Sequence, residues 1–190
     1  MTRIIAGSAK GRTLKVPAKG TRPTSDRVRE AIFSSLEHRL GSFAGCCVYD
    51  LYAGSGAFGF EARSRGATTA VLVEQDRRAI EVIRSNASST GLDVQVVAAD
   101  VAKFVQTLPT PLPDVVFVDP PYDLPAPVIR EQLALLLQQC PNHEVLLVVE
   151  RSSRDQESPI PHGCAEIDVR TLGETAVIYA HWYGYAHGDS

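Results

Sequence analysis

The sequence predicts an α/β fold in which a mostly parallel, doubly wound sheet carries helices on both faces. Three observations support this prediction. From residue 46 onwards, short apolar runs alternate with helix-forming segments; a glycine-rich loop joins the first run to the first helix; and the last two runs have no helix between them. Alternation of strand and helix is typical of parallel sheets, because a parallel pair needs a crossover connection.

The first 40 residues predict a hairpin, a linker and a helix. Residues 2–16 form two strand-like runs around a turn rich in Gly, Ser and Lys, and residues 17–23 contain the Pro and Gly typical of a linker. Residues 24–40 predict a helix, because Val28, Ile32 and Leu36 recur at helical spacing and Thr24 or Ser25 can cap its start.

Five strands and four connecting helices follow. The predicted strands are 46–52, 69–74, 93–100, 114–119 and 143–150, and the predicted helices are 59–66, 75–91, 101–108 and 126–140. The segment 163–184 contains two further strand-like runs without a helix, which predicts a hairpin or an antiparallel pair at the edge of the sheet.

Length and composition favour a single soluble domain. The chain has 190 residues, of which 44% are hydrophobic and 22% charged. Its apolar runs are too short to span a bilayer and its start lacks a signal-peptide core, so a cytoplasmic location is expected. The four cysteines lack the spacing of a zinc site, so we expect no bound metal.

Charge is distributed unevenly along the chain. Residues 1–40 carry nine Lys and Arg against three Asp and Glu, a net charge of +6, whereas the remainder carries −9. Such asymmetry is typical of a polyanion-binding arm on an acidic body. A solvated basic hairpin explains the same charges equally well.

The loop "DLYAGSGAFGFEA" satisfies the GxGxxG spacing through Gly54, Gly56 and Gly59. Between a strand and a helix, these glycines allow a tight turn and close approach of a ligand to the backbone. The spacing alone does not distinguish a nicotinamide dinucleotide from S-adenosylmethionine.

Acidic residues at the ends of three successive strands favour S-adenosylmethionine. Asp50 can approach the methionine ammonium group and would be a poor neighbour for a pyrophosphate. Glu74 can accept hydrogen bonds from both ribose hydroxyls, and Asp100 can accept one from the adenine amino group. The carboxyl ends of parallel strands meet at one crevice, so these acids are expected to converge there. The alternative is that Asp50 and Asp100 are helix caps or loop acids.

The fourth strand ends in "DPPY", residues 119–122, which we interpret as a site that holds an exocyclic amine. The lone pair of such an amine is delocalised into its ring, and accepting its two hydrogens favours a pyramidal, nucleophilic nitrogen. Asp119 can accept one hydrogen and the Pro120 carbonyl the other, while Pro120 and Pro121 restrict the backbone. Tyr122 can stack on a base that has left its helix. A proline-rich strand exit with a surface tyrosine is the alternative.

These motifs resemble the class I S-adenosylmethionine-dependent methyltransferases that modify exocyclic amines. The stretches "RIIAGSAKGRTLKVP", "RPTSDRVREAIFSSL", "LYAGSGAFGFEARSRGA" and "VFVDPPY" are similar, more narrowly, to the bacterial RsmD-type 16S ribosomal RNA guanine methyltransferases. The resemblance runs from about residue 3 to residue 183. One departure is Leu172, which stands where family members often have tyrosine.

The resemblance implies a Rossmann-like, seven-stranded sheet with an antiparallel last strand, and methylation of the 2-amino group of one guanine in 16S rRNA. It also implies that the substrate is the small ribosomal subunit or its assembly intermediate. We divide the chain into an RNA-facing extension at 1–40, a domain at 41–184 and a tail at 185–190, and expect a monomer by default. The expected catalytic residues are Asp119, Pro120, Pro121 and Tyr122. The expected S-adenosylmethionine-binding residues are Asp50, Ala53, Gly54, Ser55, Gly56, Glu74, Gln75, Asp100 and Val101. The expected RNA-binding residues are Arg3, Lys10, Arg12, Lys15, Arg22 and Arg27.

Three other functions remain compatible with the residues. "DPPY" also suits the 6-amino group of adenine in DNA or RNA, because nothing in the tetrapeptide reads the purine. GxGxxG and Glu74 are compatible with a nicotinamide-dependent oxidoreductase. A non-catalytic RNA-binding factor on a methyltransferase fold is the third alternative.

Overall fold

The structure is a computed structural model that describes residues 1–17 and 24–184. The strands are β1 (Thr2–Arg3), β2 (Thr13–Leu14), β3 (Cys47–Leu51), β4 (Thr69–Glu74), β5 (Gln95–Ala98), β6 (Val115–Val118), β7 (Val145–Ser152), β8 (Ala165–Leu172) and β9 (Thr175–Trp182). The helices are α1 (Asp26–Leu40), α2 (Ala57–Ser64), α3 (Arg77–Thr90), α4 (Val101–Phe104) and α5 (Ala126–Gln138).

Seven strands form one sheet in the order β5-β4-β3-β6-β7-β9-β8. The pairs from β5 to β7 are parallel, whereas β9 runs antiparallel to both β7 and β8. The predicted mostly parallel seven-stranded sheet with an antiparallel last strand is therefore confirmed. The strand order reverses between β3 and β6, and ligands of doubly wound sheets bind beside the carboxyl ends at such a point.

Alternating side chains of the central strands build a core on each face of the sheet. On one face, Val48 and Phe117 pack against α1 and α2, and on the other, Tyr49 and Val118 pack against α4 and α5. Every residue of β3 and β6 is buried. Strands covered on both faces read as continuous apolar runs, which is why these strands were visible in the sequence.

Aromatic packing fixes α1 across the sheet. The Phe33 ring lies 5.3 Å from the Phe117 ring of β6, and the Phe117 ring lies 4.8 Å from the Phe58 ring of α2, between ring centroids. Ser25 caps α1 by accepting a hydrogen bond from the Val28 amide. Because the helix is held in this way, Thr24, one residue before the cap, lies beside the end of β6.

The N-terminal hairpin is confirmed, with β1 antiparallel to β2. Ile4 and Leu14 are buried against Phe60 of α2 and Leu72 of β4, on the same face of the sheet as α1. The buried carboxylate of Glu61 accepts hydrogen bonds from the Ile5 and Ala6 amides at 2.7 and 3.0 Å. The hairpin is therefore docked on the sheet domain. Whether residues 1–40 act as an RNA-facing unit stays a prediction, as does the proposed domain division.

One predicted helix is much shorter than expected. The sequence predicted a helix over residues 101–108, but α4 ends at Phe104. Beyond it the backbone bonds to the third residue back, from the Gln106 amide to the Lys103 carbonyl at 3.2 Å and from the Thr107 amide to the Phe104 carbonyl at 3.3 Å, so the α-helix tightens into a turn. The predicted tail at 185–190 lies outside the described residues.

Candidate active site

A cleft of about 250 Å³ opens at the carboxyl ends of β3, β4 and β6. It contains eight of the residues predicted from sequence: Ala53, Gly54, Ser55, Glu74, Gln75, Val101, Asp119 and Pro121. Its remaining lining residues are Thr2, Val16, Pro17, Thr24, Arg29, Tyr52, Ala57, Phe58, Asp76, Ala79 and Ala99. The site lies where the strand order reverses, as expected for a doubly wound sheet.

The glycine loop is shaped by packing as well as by the cleft. A Cβ on Gly56 would lie 2.7 Å from Cδ2 of Leu72, and a Cβ on Gly59 would lie 2.5 Å from Cδ1 of the same side chain. These two glycines therefore let α2 sit directly on β4. Gly54 has φ of +55° and room for a Cβ, so its constraint is the left-handed backbone next to the cleft.

Asp50 lies beneath this loop and does not line the cleft. Its side chain is buried, and its Oδ2 accepts a hydrogen bond from the Gly59 amide at 3.0 Å. Burial raises the pKa of Asp50 well above its usual value, and the negative charges of Asp119 and Glu74 act in the same direction. The carboxyl group thus supports the loop from below, and contact with a methionine ammonium group stays a prediction.

Glu74 connects the end of β4 to the glycine loop. Its Oε2 accepts a hydrogen bond from the Gly54 amide at 2.8 Å, and its Oε1 accepts from the Gln75 and Asp76 amides at 2.8 and 2.9 Å. A carboxylate has about four lone-pair positions, so three amide donors leave acceptor capacity for a hydroxyl group. One position is left where the sequence predicted hydrogen bonds from both ribose hydroxyls, and the ribose contact stays a prediction.

Replacing Glu74 with Gln is expected to weaken binding of S-adenosylhomocysteine roughly tenfold to a hundredfold, since hydrogen bonds to a charged group contribute about 1.5–3 kcal/mol. The amide group cannot accept on both sides, so the Gly54 loop also loses an anchor. Isothermal titration calorimetry measures the dissociation constant. Glu81→Gln, which removes the same charge from an exposed position on α3, is the control and should bind normally. Equal affinities in both variants would contradict the role of Glu74.

Asp100 is the cap of α4. Its carboxylate accepts a hydrogen bond from the Ala102 amide at 2.8 Å, which is the alternative that the sequence left open. Its neighbours Ala99 and Val101 line the cleft, whereas Asp100 does not. The adenine contact of Asp100 stays a prediction.

Asp119 and Glu150 meet at one hydroxyl group. Thr24 Oγ1 lies 3.1 Å from Asp119 Oδ2 and 2.9 Å from Glu150 Oε2. Burial raises the pKa of Asp119 to about 6, and burial together with the charge of Asp119 raises the pKa of Glu150 to about 8. This pair of carboxyl groups therefore retains a proton near neutral pH.

A second cavity, of about 240 Å³, lies next to Thr24 and Glu150. Glu150 and Tyr122 line it together with Leu172, the last residue of β8, and Thr24 lines both cavities. The Tyr122 side chain is 62% exposed, so its ring is accessible to a planar ligand. Pro120 is buried and lines neither cavity. The two cavities meet at Thr24, next to the Asp119 carboxylate.

Sequence reasoning missed three residues of this region. Thr24 was predicted only as a helix cap and Glu150 only as the end of a strand, and Arg29 was not predicted at the site. Arg29 is fully buried, lines the cleft and lies 3.0 Å from Asp26 and 3.9 Å from Glu61. For Glu150 a signal existed: the strand "VLLVVE" ends on an acid beside the strand that delivers Asp119.

The predicted RNA-binding cations lie on the hairpin and on α1. Arg3, Lys10, Arg12, Lys15 and Arg27 are all exposed, whereas Arg22 lies outside the described residues. Arg12 donates a hydrogen bond to the Ser89 carbonyl at 3.0 Å, and Lys15 donates one to Ser85 Oγ at 3.0 Å, so both also attach the hairpin to α3. Their contact with RNA stays a prediction.

Two classes of feature are absent from residues 1–17 and 24–184. No three His, Cys, Asp or Glu side chains in these ranges are grouped so that they could hold a metal ion. In the same ranges, every helix is too short or too polar to cross a membrane.

The sheet order, the glycine loop after its first strand and the acidic residue at the end of the next strand are those of a class I methyltransferase. S-adenosylmethionine is the methyl donor of this class. The residues of the cleft fit it, because Glu74 and Asp119 are carboxylate acceptors in the lining and Phe58 and Val101 provide apolar walls.

The family described as "Conserved hypothetical protein 95" matches residues 2–181, and the chain belongs to this family, that of the RsmD-type methyltransferases. "Ribosomal RNA small subunit methyltransferase D" of Haemophilus influenzae is 33% identical over 180 residues, which cover 90% of this chain and 89% of that protein. The Escherichia coli K12 protein of that name is 43% identical over 122 residues, covering 63% of this chain and 60% of that protein. A hypothetical protein of Thermus thermophilus superposes with a TM-score of 0.77 at 32% identity, covering 94% of this chain and 98% of that one.

Proposed function

We propose that this protein transfers the methyl group of S-adenosylmethionine to the exocyclic 2-amino group of one guanine in 16S rRNA of the small ribosomal subunit. The observation that carries the proposal is the meeting of two cavities at Thr24, with Asp119 facing the first cavity and Tyr122 lining the second. In this arrangement a methyl donor in the first cavity and a base in the second can approach each other beside Thr24, whose hydroxyl contacts the Asp119 carboxylate.

The amine is activated by hydrogen-bond acceptors. Asp119 accepts one amine hydrogen, so that the nitrogen lone pair is directed at the donor in the first cavity. We assign the second hydrogen to the Pro120 carbonyl, which requires the loop to turn that carbonyl toward the bound base, because Pro120 lines neither cavity in the free protein. S-adenosylmethionine, when bound, supplies a methyl group on a positively charged sulfur that is already a good leaving group. The stiff Pro120–Pro121 backbone restricts the loop that carries these acceptors.

The base stacks on Tyr122 in the second cavity. Chemistry on an exocyclic amine requires the base to leave its stack, and an accessible aromatic ring is the usual surface on which a flipped base rests. Leu172 and Glu150 form other walls of this cavity. The cavity therefore holds the reacting edge of a purine next to Asp119.

The rRNA substrate is proposed from the names of the relatives and from the charge of the first 40 residues. The Haemophilus influenzae and Escherichia coli relatives are named as small-subunit rRNA methyltransferases. Arg3, Lys10 and Arg27 are exposed near the cleft-lining hairpin and would contact phosphates, which orient RNA without reading its sequence. We propose a monomer that acts in the cytoplasm on the small subunit or its assembly intermediate.

The proposal predicts N2-methylguanosine as the product. Small subunits and free 16S rRNA from a strain that lacks the enzyme would be incubated with the protein and S-adenosylmethionine labelled in the methyl group, then digested for mass spectrometry of nucleosides. Label in a single N2-methylguanosine position is expected. Label in N6-methyladenosine, or in DNA offered under the same conditions, would contradict the guanine assignment, and no transfer to any nucleic acid would contradict the enzyme itself.

The double variant Lys10→Ala, Arg27→Ala is expected to weaken RNA binding and to flatten its salt dependence. Neutralising one phosphate fewer on single-stranded RNA lowers the slope of log affinity against log salt by about 0.7. Filter binding at several salt concentrations measures this slope. Arg130→Ala, on α5 at the opposite face of the sheet, removes a positive charge away from the hairpin and should leave the slope unchanged. An unchanged slope in the double variant would exclude these residues from the interface.

A further inference from the structure

The Thr24 hydroxyl lies between two carboxyl groups, yet it has a single hydrogen to donate. Its oxygen is 3.1 Å from Asp119 Oδ2 and 2.9 Å from Glu150 Oε2. If both carboxyl groups were ionised, one of them would face a lone pair of this oxygen at hydrogen-bond distance. Two favourable hydrogen bonds require one carboxyl group to carry a proton and to donate it to Thr24.

The surroundings decide which carboxyl group that is. Glu150 is buried in β7, and both burial and the charge of Asp119 favour its neutral form. Burial also raises the pKa of Asp119, but Asp119 is less buried than Glu150, and the Thr24 hydrogen bond opposes the shift in both groups. One arrangement satisfies both hydrogen bonds and this order of pKa values. In it, Glu150 is protonated, Thr24 directs its hydrogen at Asp119, and Asp119 is negatively charged.

Other charged groups around the pair do not reverse this order. Asp50 on β3 repels Asp119, whereas the buried Arg29 on α1 is paired with Asp26 and Glu61. On β7 the next residue, Arg151, donates to the Leu124 carbonyl at 3.0 Å. Glu74 on β4 faces the glycine loop, and Glu174, in the turn between β8 and β9, lines the second cavity with Glu150. The repulsion between Asp50 and Asp119 also favours retention of a proton among these carboxyl groups.

We propose that protonated Glu150 donates a hydrogen bond to Thr24, which in turn donates to Asp119, so that Glu150 and Thr24 are positioning residues that keep Asp119 ionised and oriented. The catalytic consequence rests on the proposed function. Thr24 occupies Oδ2 of Asp119, which leaves Oδ1 for the amine hydrogen. As the nitrogen–carbon bond forms, the carbon–sulfur bond breaks and the electron pair of the carbon–sulfur bond goes to sulfur. The surplus amine proton goes to the Asp119 carboxylate and then to water.

The first test needs no substrate. Carboxyl ¹³C NMR of the free protein, with glutamate labelled and the Glu150 signal identified by its loss in Glu150→Gln, follows the protonation of Glu150 with pH. We expect the neutral form at pH 6 and ionisation near pH 8. A Glu150 carboxyl that is already ionised at pH 6 would overturn the proposal, whatever the activity of the protein.

The second test uses kinetics with matched variants. Ionisation of Asp119 raises kcat as pH increases through about 6, and ionisation of Glu150 lowers it as pH increases through about 8. Glu150→Gln retains a donor toward Thr24, so its kcat should be at least tenfold higher than that of Glu150→Leu. Because the amide does not ionise, kcat of Glu150→Gln should not fall as the pH increases through about 8. Thr24→Val should lower kcat about tenfold to a hundredfold with little change in KM, and Thr24→Ser should restore it.

The outcomes separate this proposal from the proposed function. If Glu150→Gln is as inactive as Glu150→Leu, Glu150 acts as an anion and the hydrogen-bond order is wrong. If Glu150 titrates near pH 8 but the wild-type protein methylates no RNA, the proton arrangement stands and the assigned reaction fails. Retention of wild-type kcat by Thr24→Val would exclude Thr24 from the chain of hydrogen bonds.

Discussion

Asp119→Ala is expected to lower kcat for methyl transfer by roughly 10²- to 10⁴-fold, the range in which a positioned acid–base group contributes to a reaction. The variant removes both the acceptor for the amine hydrogen and the group that receives the proton. Binding of S-adenosylhomocysteine should change little, since Glu74 and the glycine loop form a separate part of the cleft. Single-turnover transfer to small subunits and calorimetry on the free protein measure the two quantities.

Asp123→Ala is the matched control for this prediction. Asp123 lies in the same loop, four residues further on, and is exposed. Its removal changes the charge of the loop without touching Thr24 or Glu150. Loss of activity in Asp119→Ala together with normal activity in Asp123→Ala would support the assigned role. Normal turnover by Asp119→Ala would show that another group accepts the amine hydrogen.

Glu61→Ala is expected to cost about 3–5 kcal/mol of unfolding free energy, because it breaks a buried ion pair and leaves its partners uncompensated. The Glu61 carboxylate is fully buried, accepts the Ile5 and Ala6 amides, and accepts from Arg65 Nε at 2.8 Å. Arg29 Nε lies 3.9 Å away and would lose its nearest counter-charge on the sheet domain. Urea denaturation measures the loss.

The same substitution should loosen the hairpin selectively. Amide hydrogen exchange is expected to accelerate at Ile5 and Ala6, whose hydrogen bonds end on Glu61. Because Thr2 and Val16 line the cleft, affinity for S-adenosylhomocysteine should also fall. Glu37→Ala is the control: Glu37 is an exposed partner of Arg65, at 2.8 Å, and such surface pairs contribute about 0–1 kcal/mol. Equal losses of stability in both variants would exclude Glu61 as the anchor.

The fold could be predicted because its signals are local. The central strands are continuous apolar runs since both faces are covered, and Gly91 ends α3 where the sequence predicted a helix end. The glycine loop could be located from its GxGxxG spacing between a strand and a helix. Gly56 and Gly59 stand there because a Cβ at either position would clash with Leu72. Helix ends near prolines were harder, as the early end of α4 shows.

The candidate site was predictable only in part. Local sequence indicated acids at the ends of strands, but the backbone donors around each acid decide where its oxygens point. Asp50 accepts from Gly59 beneath the loop, and Asp100 accepts from Ala102 at the start of α4. Glu74 alone of these three lines the cleft. The sequence pattern of a single strand does not predict which backbone amides will donate to these carboxylates.

By itself the sequence determined the alternating parallel sheet, the position of the glycine loop and the placement of "DPPY" at the end of β6. Only the tertiary structure decided that Thr24 and Glu150 would contact each other beside Asp119. Asp119 lies 95 positions from Thr24 in the sequence, and Glu150 lies 126 positions from it. Hydrophobic periodicity predicts which residues share a face of one helix or strand. Contact between these three residues depends instead on α1 packing across the sheet through Phe33 and Phe117, and on β6 pairing with β7.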